Sequence, residues 1–277
     1  RTVVTFVGTA EAVVEAAFQG VRAAAELIDM RCQHGTHPRI GATDVLPLVP
    51  LSGITLEECA DLARTLARRI ADELGIPCYC YEAAAFTPER RNLAICRAGE
   101  YESLPRRMAD SLRRPDFGPD DYNDTVARSG ATVVGARPLL IAVNFNLAPS
   151  LSRGKKDESL LAQEIACDVR EKGRKVEGQW VHGTLKGCKA IGWYIDEYGI
   201  AQVSMNITDI YATPLHIAYE EVCRAAAARD TRITGTEIIG LVPRSVLVEA
   251  GRYFSGSQSA EDSLLLQTAV RAMRLDV

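Results

Sequence analysis

Apolar positions recur along this chain with two periods, and each period predicts an element. The β-branched run of residues 2–8 reads as a strand. Spacings of three and four residues among Val14, Phe18, Val21, Ala25 and Ile28 predict a helix over 11–31. Residues 43–50 form a short apolar stretch that Pro47 and Pro50 confine to a sheet edge or a bent terminus. Thr55 and Glu58 make a capping-box signature. It opens a helix whose apolar face is Cys59, Leu62, Leu66, Ile70 and Leu74, and Gly75 stops it. A strand at 76–81 and a helix from Thr87-Pro88 follow. From 114 to 131 the chain turns polar and reads as one long loop, of a length that is usually functional or disordered.

The second half has a different order. A strand at 138–147 leads to a helix at 157–172 that ends at Gly173. Strands at 188–195 and 200–210 are joined by a tight connection at 196–199. A helix opened by Thr213-Pro214 runs through Leu215, Ala218, Val222 and Ala226, and a strand at 233–241 follows. That βαββαβ order predicts a ferredoxin-like arrangement, with helices on one face of an antiparallel sheet. Helical pattern at 243–252 and 261–274 completes the chain. The fold class is therefore α+β, built of two-layer α/β subdomains at 1–136 and 137–277, with the boundary near Gly135-Ala136.

Composition narrows the function classes. Apolar residues make up 47% and charged residues 25% of 277, an ordinary globular balance, and the net charge of −4 offers no overall field for nucleic acid or an anionic membrane. No apolar run approaches the roughly 20 residues a bilayer requires, and the first residues do not follow signal-peptide anatomy. The eight cysteines are scattered, none spaced as Cys-x-x-Cys, and most fall on apolar positions, where a reduced thiol acts as a small hydrophobe. A cytoplasmic location is expected.

Candidate chemistry concentrates in the stretch from Cys32 to Asp44, which holds His34 and His37, two of the four histidines. Imidazole gives and takes protons near neutral pH without elaborate tuning. Gly35 suits the left-handed conformation past a helix end, and Pro38 drives His37 toward an extended backbone, so His37 is presented between elements. Taken alone, the residues leave two readings open: an acid-base histidine, or a histidine dressing a surface loop. A metal site is not expected, because Cys32, His34, His37 and Asp44 lack metal-ligand spacing. Gly-x-Ser-x-Gly and Gly-x-x-x-x-Gly-Lys motifs are also missing. His216 has an apolar helical neighbourhood that suits a structural role, and His182 reads as a loop residue.

Longer runs carry a resemblance. Residues 1–8 (RTVVTFVG), 27–30 (LIDM), 37–45 (HPRIGATDV), 97–102 (RAGEYE), 115–119 (PDFGP), 192–194 (GWY), 201–204 (AQVS), 215–221 (LHIAYEE) and 240–243 (GLVP) resemble, in order, the formiminotransferase domain family. The resemblance covers nearly the whole chain. It implies transfer of a formimino group from N-formimino-L-glutamate to tetrahydrofolate, the co-substrate, giving 5-formiminotetrahydrofolate and glutamate in histidine degradation. It implies His37, in the His-Pro-Arg run, as the acid-base residue. Arg39 is then a candidate for a substrate carboxylate, or a surface salt bridge. Asp44 either orients His37 or merely opens a strand. The segment the family uses for folate falls on Gly118, Pro119, Asp120, Asp121, Tyr122, Ser129 and Gly130, within a loop longer here than is usual, and Arg128 and Arg137 flank it. A homodimer and a cyclodeaminase partner, fused or separate, are further implications.

Family members carry an additional strand and helix before the Arg-Thr-Val run, so the chain is expected to be truncated at its start. A folate-binding protein without transferase activity is one alternative. The other, a ferredoxin-like RNA-binding module, lacks a basic balance and the aromatic strand pattern.

Overall fold

The computed structural model describes residues 2–35, 37–150 and 152–276. They form two compact units, Phe6–Pro138 and Thr2–Thr5 with Leu139 onward.

In the first unit, α1 (Ala10–Leu27) starts where the Thr9 hydroxyl accepts from Ala12 N–H. It ends four residues earlier than the periodicity suggests, because Ile28 turns extended and the Asp29 carboxylate takes Arg31 N–H, opening a separate 3-10 turn at Met30–Cys32. Then come β1 (Val45–Leu48), α2 (Leu56–Leu74), β2 (Cys78–Glu82), α3 (Leu93–Cys96), α4 (Leu104–Ala109), α5 (Asp124–Ser129) and β3 (Thr132–Ala136). The capping box of α2 forms, and Gly75 closes the helix in the left-handed conformation. The three strands are parallel in the order β1-β3-β2, which puts the proline-bearing β1 at an edge. Helices cover both faces of this sheet. Phe18 and Val21 of α1 and Leu66 and Ile70 of α2 pack on Cys78, Cys80, Val134 and Ala136. On the other face Tyr79, Tyr81 and Val133 meet Leu104, Met108, Val126 and Ile40.

Three further expectations need correction in the first half of the chain. Residues 2–9 form no strand; Val4 and Val7 stand 76% and 68% exposed, and β-branched sequence makes a strand only where a neighbour pairs with it. The predicted helix from Thr87 is a 3-10 turn at Pro88–Arg91, and Asn92, extended, caps the single turn of α3 separately. The loop at 114–131 contains α5, whose first turn is capped by Asn123 Oδ1 accepting Val126 N–H at 3.0 Å.

The second unit contains β4 (Ile141–Leu147), α6 (Lys155–Val169), β5 (Arg174–Val176), β6 (Gln179–Val181), β7 (Cys188–Ile195), β8 (Ile200–Ile207), α7 (Leu215–Ala227), β9 (Ile233–Ile239), α8 (Arg244–Ser255) and α9 (Asp262–Ala272). Its main sheet is antiparallel in the order β7-β8-β4-β9, the ferredoxin-like order the sequence predicts. Alternate residues, Val143 and Phe145 on β4 and Val203 and Met205 on β8, point into one core with α6, α7, Ala250 of α8 and Ala269 of α9. Unforeseen is the β5-β6 hairpin, turned by Glu177 and Gly178, both with positive φ. Among the described residues no helix is long and apolar enough to cross a membrane.

Helix α6 crosses β7 at Gly192, where a Cβ would lie 2.0 Å from Gln163 N. Gly192→Ala should therefore cost the second unit at least the roughly 1–3 kcal/mol of an overpacked core. Urea unfolding measures it, and an unchanged midpoint would contradict this packing.

Candidate functional site

The stretch 37–44 is held across the start of β3. Ile40 O accepts Ala131 N–H at 3.0 Å, Ser129 O accepts Ala42 N–H at 2.8 Å, and Asp44 O accepts Val133 N–H at 3.0 Å. Gly41 and Gly130 face each other in an antiparallel bridge. A Cβ on Gly41 would lie 2.2 Å from Ala131 O, and one on Gly130, whose φ is +69°, 2.4 Å from Ile40 O. Only glycine fits both places.

From that anchored strip the half-buried His37 projects, its Nδ1 2.7 Å from Pro38 O. A carbonyl only accepts, so Nδ1 carries the hydrogen and Nε2 of the neutral ring is the basic nitrogen. Pro38 O also accepts from Arg97 Nη1 at 3.2 Å. Arg97 sits just past α3, and the same Nη1 donates to Asp44 Oδ2 at 2.7 Å, while Asp44 Oδ1 accepts Ile40 N–H at 2.9 Å. Asp44 thus closes the loop on itself and holds the guanidinium.

Arg39 points to the turn at 99–102. Its Nη1 reaches Glu100 at 3.1 Å and Glu102 at 3.0 Å, and its Nη2 reaches Gln33 O at 3.1 Å. Bonding to Arg39 holds the Glu102 carboxyl below its ordinary range, and the same bond raises Arg39 further. Tyr101 N–H donates to Arg39 O at 2.9 Å. Burial, then a hydrogen bond with Tyr122, pushes the Tyr101 phenol up, which places Tyr122 beside this turn. His34 is exposed and lies near Glu102.

The structure brings Ser129 and Gly130 against the histidine strip as support: both are buried, and Ser129 Oγ donates to Thr125 O at 2.7 Å. Gly118 packs at the start of β2 with φ +113°, its Cβ position 2.9 Å from Pro77 Cα. Pro119 is half-buried there, Asp120 and Asp121 are exposed, and Arg114 lies 3.8 Å from Asp120. Arg128 donates to Glu26 O and Arg137 to Pro138 O. His216 stacks on Tyr253 with ring centroids 4.5 Å apart, and His182 Nδ1 meets Glu171 O. Among the described residues no three His, Cys, Asp or Glu side chains gather to hold a metal ion.

Sequence reasoning assigned no role to Arg97, Glu100 or Glu102, although they lie within the run that carries the resemblance. Their signal is the turn itself: Gly99 and Glu100 both take positive φ, +80° and +57°, which aims the acids back at Arg39. It also missed a polar cluster on the face of the second unit's sheet away from the helices. There the Glu237 carboxylate accepts from Asn144, Asn146 and the fully buried Gln202, and Trp193 Nε1 donates to Gln202 at 3.1 Å.

Residues 1–137 match the N-terminal subdomain of the formiminotransferase domain, and residues 142–276 match the formiminotransferase domain. The chain is 42% identical over 279 aligned residues to the formimidoyltransferase-cyclodeaminase of Sus scrofa, covering 100% of this chain and 49% of that protein. It is 39% identical to the glutamate formimidoyltransferase of Streptococcus pyogenes, covering 92% of this chain and 79% of that one. To the glutamate formimidoyltransferase of Thermoplasma acidophilum it is 38% identical, over 96% and 82% respectively. The chain spans about half the length of the fused relatives it matches.

Gly130→Ala should loosen the histidine strip, so that the amides of Ala42 and Ala131 exchange with solvent faster. Gly53→Ala supplies the control, because Gly53 shares a positive φ of +72° but a Cβ there meets nothing within 4 Å. It carries only the roughly 1–2 kcal/mol of left-handed strain. Equal exchange at Ala42 and Ala131 in both variants would contradict a steric role for the glycine pair.

Proposed function

We propose that this chain, which belongs to the formiminotransferase family, transfers the formimino group of N-formimino-L-glutamate to tetrahydrofolate. The products are 5-formiminotetrahydrofolate and glutamate, and the reaction is a step of histidine degradation. Support comes from the names of the relatives and, in this chain, from one observation: the bond from His37 Nδ1 to Pro38 O, which directs the basic character of the ring to Nε2.

The reaction makes modest demands. The secondary amine of tetrahydrofolate attacks the formimino carbon, and the adduct must lose the amine proton. The glutamate nitrogen must gain a proton before its bond to that carbon breaks. One residue near its operating pKa does both, taking the first proton on Nε2 and returning it to the leaving nitrogen. His37 is that residue. Arg39, engaged by Glu100 and Glu102, holds the 99–102 turn against the histidine strip. Folate binding is assigned to the polar side of 118–122, with Asp120, Asp121 and Tyr122 as its contacts and Ser129 and Gly130 as the support beneath His37. The names of the fused relatives support a cyclodeaminase as a functional partner, and the protein is proposed to work as a cytoplasmic homodimer.

Turnover with both substrates, beside equilibrium binding of tetrahydrofolate, tests this reading. His37→Ala should lose about 10² to 10⁴ in rate, the usual worth of general acid-base help, with folate binding retained. His34→Ala should stay near the parent rate. Equal losses from the two substitutions, or folate binding with no turnover by the unmodified protein, would overturn the assignment.

A further inference from the structure

The bond that fixes the His37 tautomer rests on a carbonyl, and a carbonyl is only as well aimed as its peptide plane. The Pro38 carbonyl has two partners. It receives Nδ1–H of His37 and Nη1–H of Arg97, and Arg97 Nη1 is shared with Asp44 Oδ2. Asp44 is itself held by Ile40 N–H, two residues beyond Pro38. The chain of contacts is therefore a ring: His37 to Pro38 O, to Arg97, to Asp44, to Ile40, and back along the backbone. Both charged side chains are withdrawn from solvent, Arg97 to 15% and Asp44 to 23% exposure. Among the described residues nothing accepts from the buried Arg97 Nε, a cost that a merely solvating surface arginine does not carry.

We infer that Arg97 and Asp44 are positioning residues that set the protonation tautomer of His37 through the Pro38 carbonyl. The inference rests on the reading of His37 as the acid-base residue. Neither side chain needs to touch substrate. Asp44 keeps Arg97 in place, Arg97 keeps the Pro38 peptide turned toward the ring, and the carbonyl keeps the hydrogen on Nδ1. A histidine side chain in water prefers its hydrogen on Nε2, so without the ring of contacts the basic nitrogen would be the wrong one. A histidine held in the wrong tautomer is a poor base even where its position is unchanged.

The test reads the tautomer directly. Protein labelled with ¹⁵N-histidine gives long-range proton-nitrogen correlations that separate a protonated from an unprotonated ring nitrogen. Spectra are recorded at a pH where the ring is neutral and without substrate, and His37→Gln identifies the signals. The unmodified protein should carry its hydrogen on Nδ1. In Arg97→Ala and in Asp44→Asn the population should move toward Nε2–H, kcat should fall about 10- to 100-fold, the loss typical of an orienting partner, and KM for both substrates should hold. Arg97→Lys, which keeps the charge but not the planar fork, should recover part of kcat and of the Nδ1–H signal. Should Arg97→Ala fail to fold, Asp44→Asn and Arg97→Lys still give the spectrum, since asparagine retains an oxygen for Ile40 N–H. Hydrogen on Nε2 in the unmodified protein, or Nδ1–H retained undiminished in the variants, would overturn the inference. Because the spectrum needs no turnover, it stands or falls separately from the transferase reading.

Discussion

The backbones of Gly41 and Gly130 approach so closely that neither residue has room for a Cβ, and the geometry of the candidate site follows from that contact. It lays the strip 40–42 against 129–131 and pins it with hydrogen bonds from Ala42 and Ala131. Asp44 then enters β1 in register, its carbonyl bonded to Val133 at the start of β3. Ile40, fully buried in the core beneath, fixes the strip from the other side. His37 inherits its place from these restraints. A loop fastened at both glycines has few ways to move the residue that precedes it.

Charge completes what the backbone begins. Two arginines from distant positions meet three acids around one short strip. Arg97 closes on Asp44 and the Pro38 carbonyl, and Arg39 on Glu100 and Glu102. Arg97 and Asp44 are both largely withdrawn from solvent, so removing either leaves a charge uncompensated, whereas Glu102 meets the half-buried Arg39 from the exposed side. The turn at 97–102 is thus bonded to the histidine strip from both ends, and Tyr101 extends it to α5 through its hydroxyl bond to Ala127 O. The proposed transfer asks for a base whose ring nitrogens keep distinct roles, and these partners hold one of them, Nδ1, at Pro38 O.

Much of this architecture is legible in the sequence because it depends on local rules. The capping box at Thr55, the stop at Gly75, the edge prolines of β1 and the βαββαβ order of the second unit are each written in a few adjacent residues. Failures came where the deciding partner is remote or the signal brief. Residues 2–8 have strand-forming side chains, but pairing lies outside the segment. Asn123-Asp124 caps α5, a signal submerged in the polar run around it. Leu27 ends α1 because Asp29 bonds Arg31, which periodicity does not register. At the site, His37 and Asp44 stood out by residue type and by resemblance. Arg97 did not, since 53 residues separate it from Asp44 and nothing in one sequence pairs them.

The central claim is that Nε2 of His37 exchanges the proton of the attacking and leaving nitrogens. A crystal structure of the protein with tetrahydrofolate and an unreactive analogue of N-formimino-L-glutamate measures it most directly. The account predicts His37 Nε2 within about 2.6–3.2 Å of the folate nitrogen, or one bridging water away, with Nδ1 still on Pro38 O. A complex in which Nδ1 faces the ligand, or in which another titratable side chain occupies that position and His37 stands clear of it, would contradict the account.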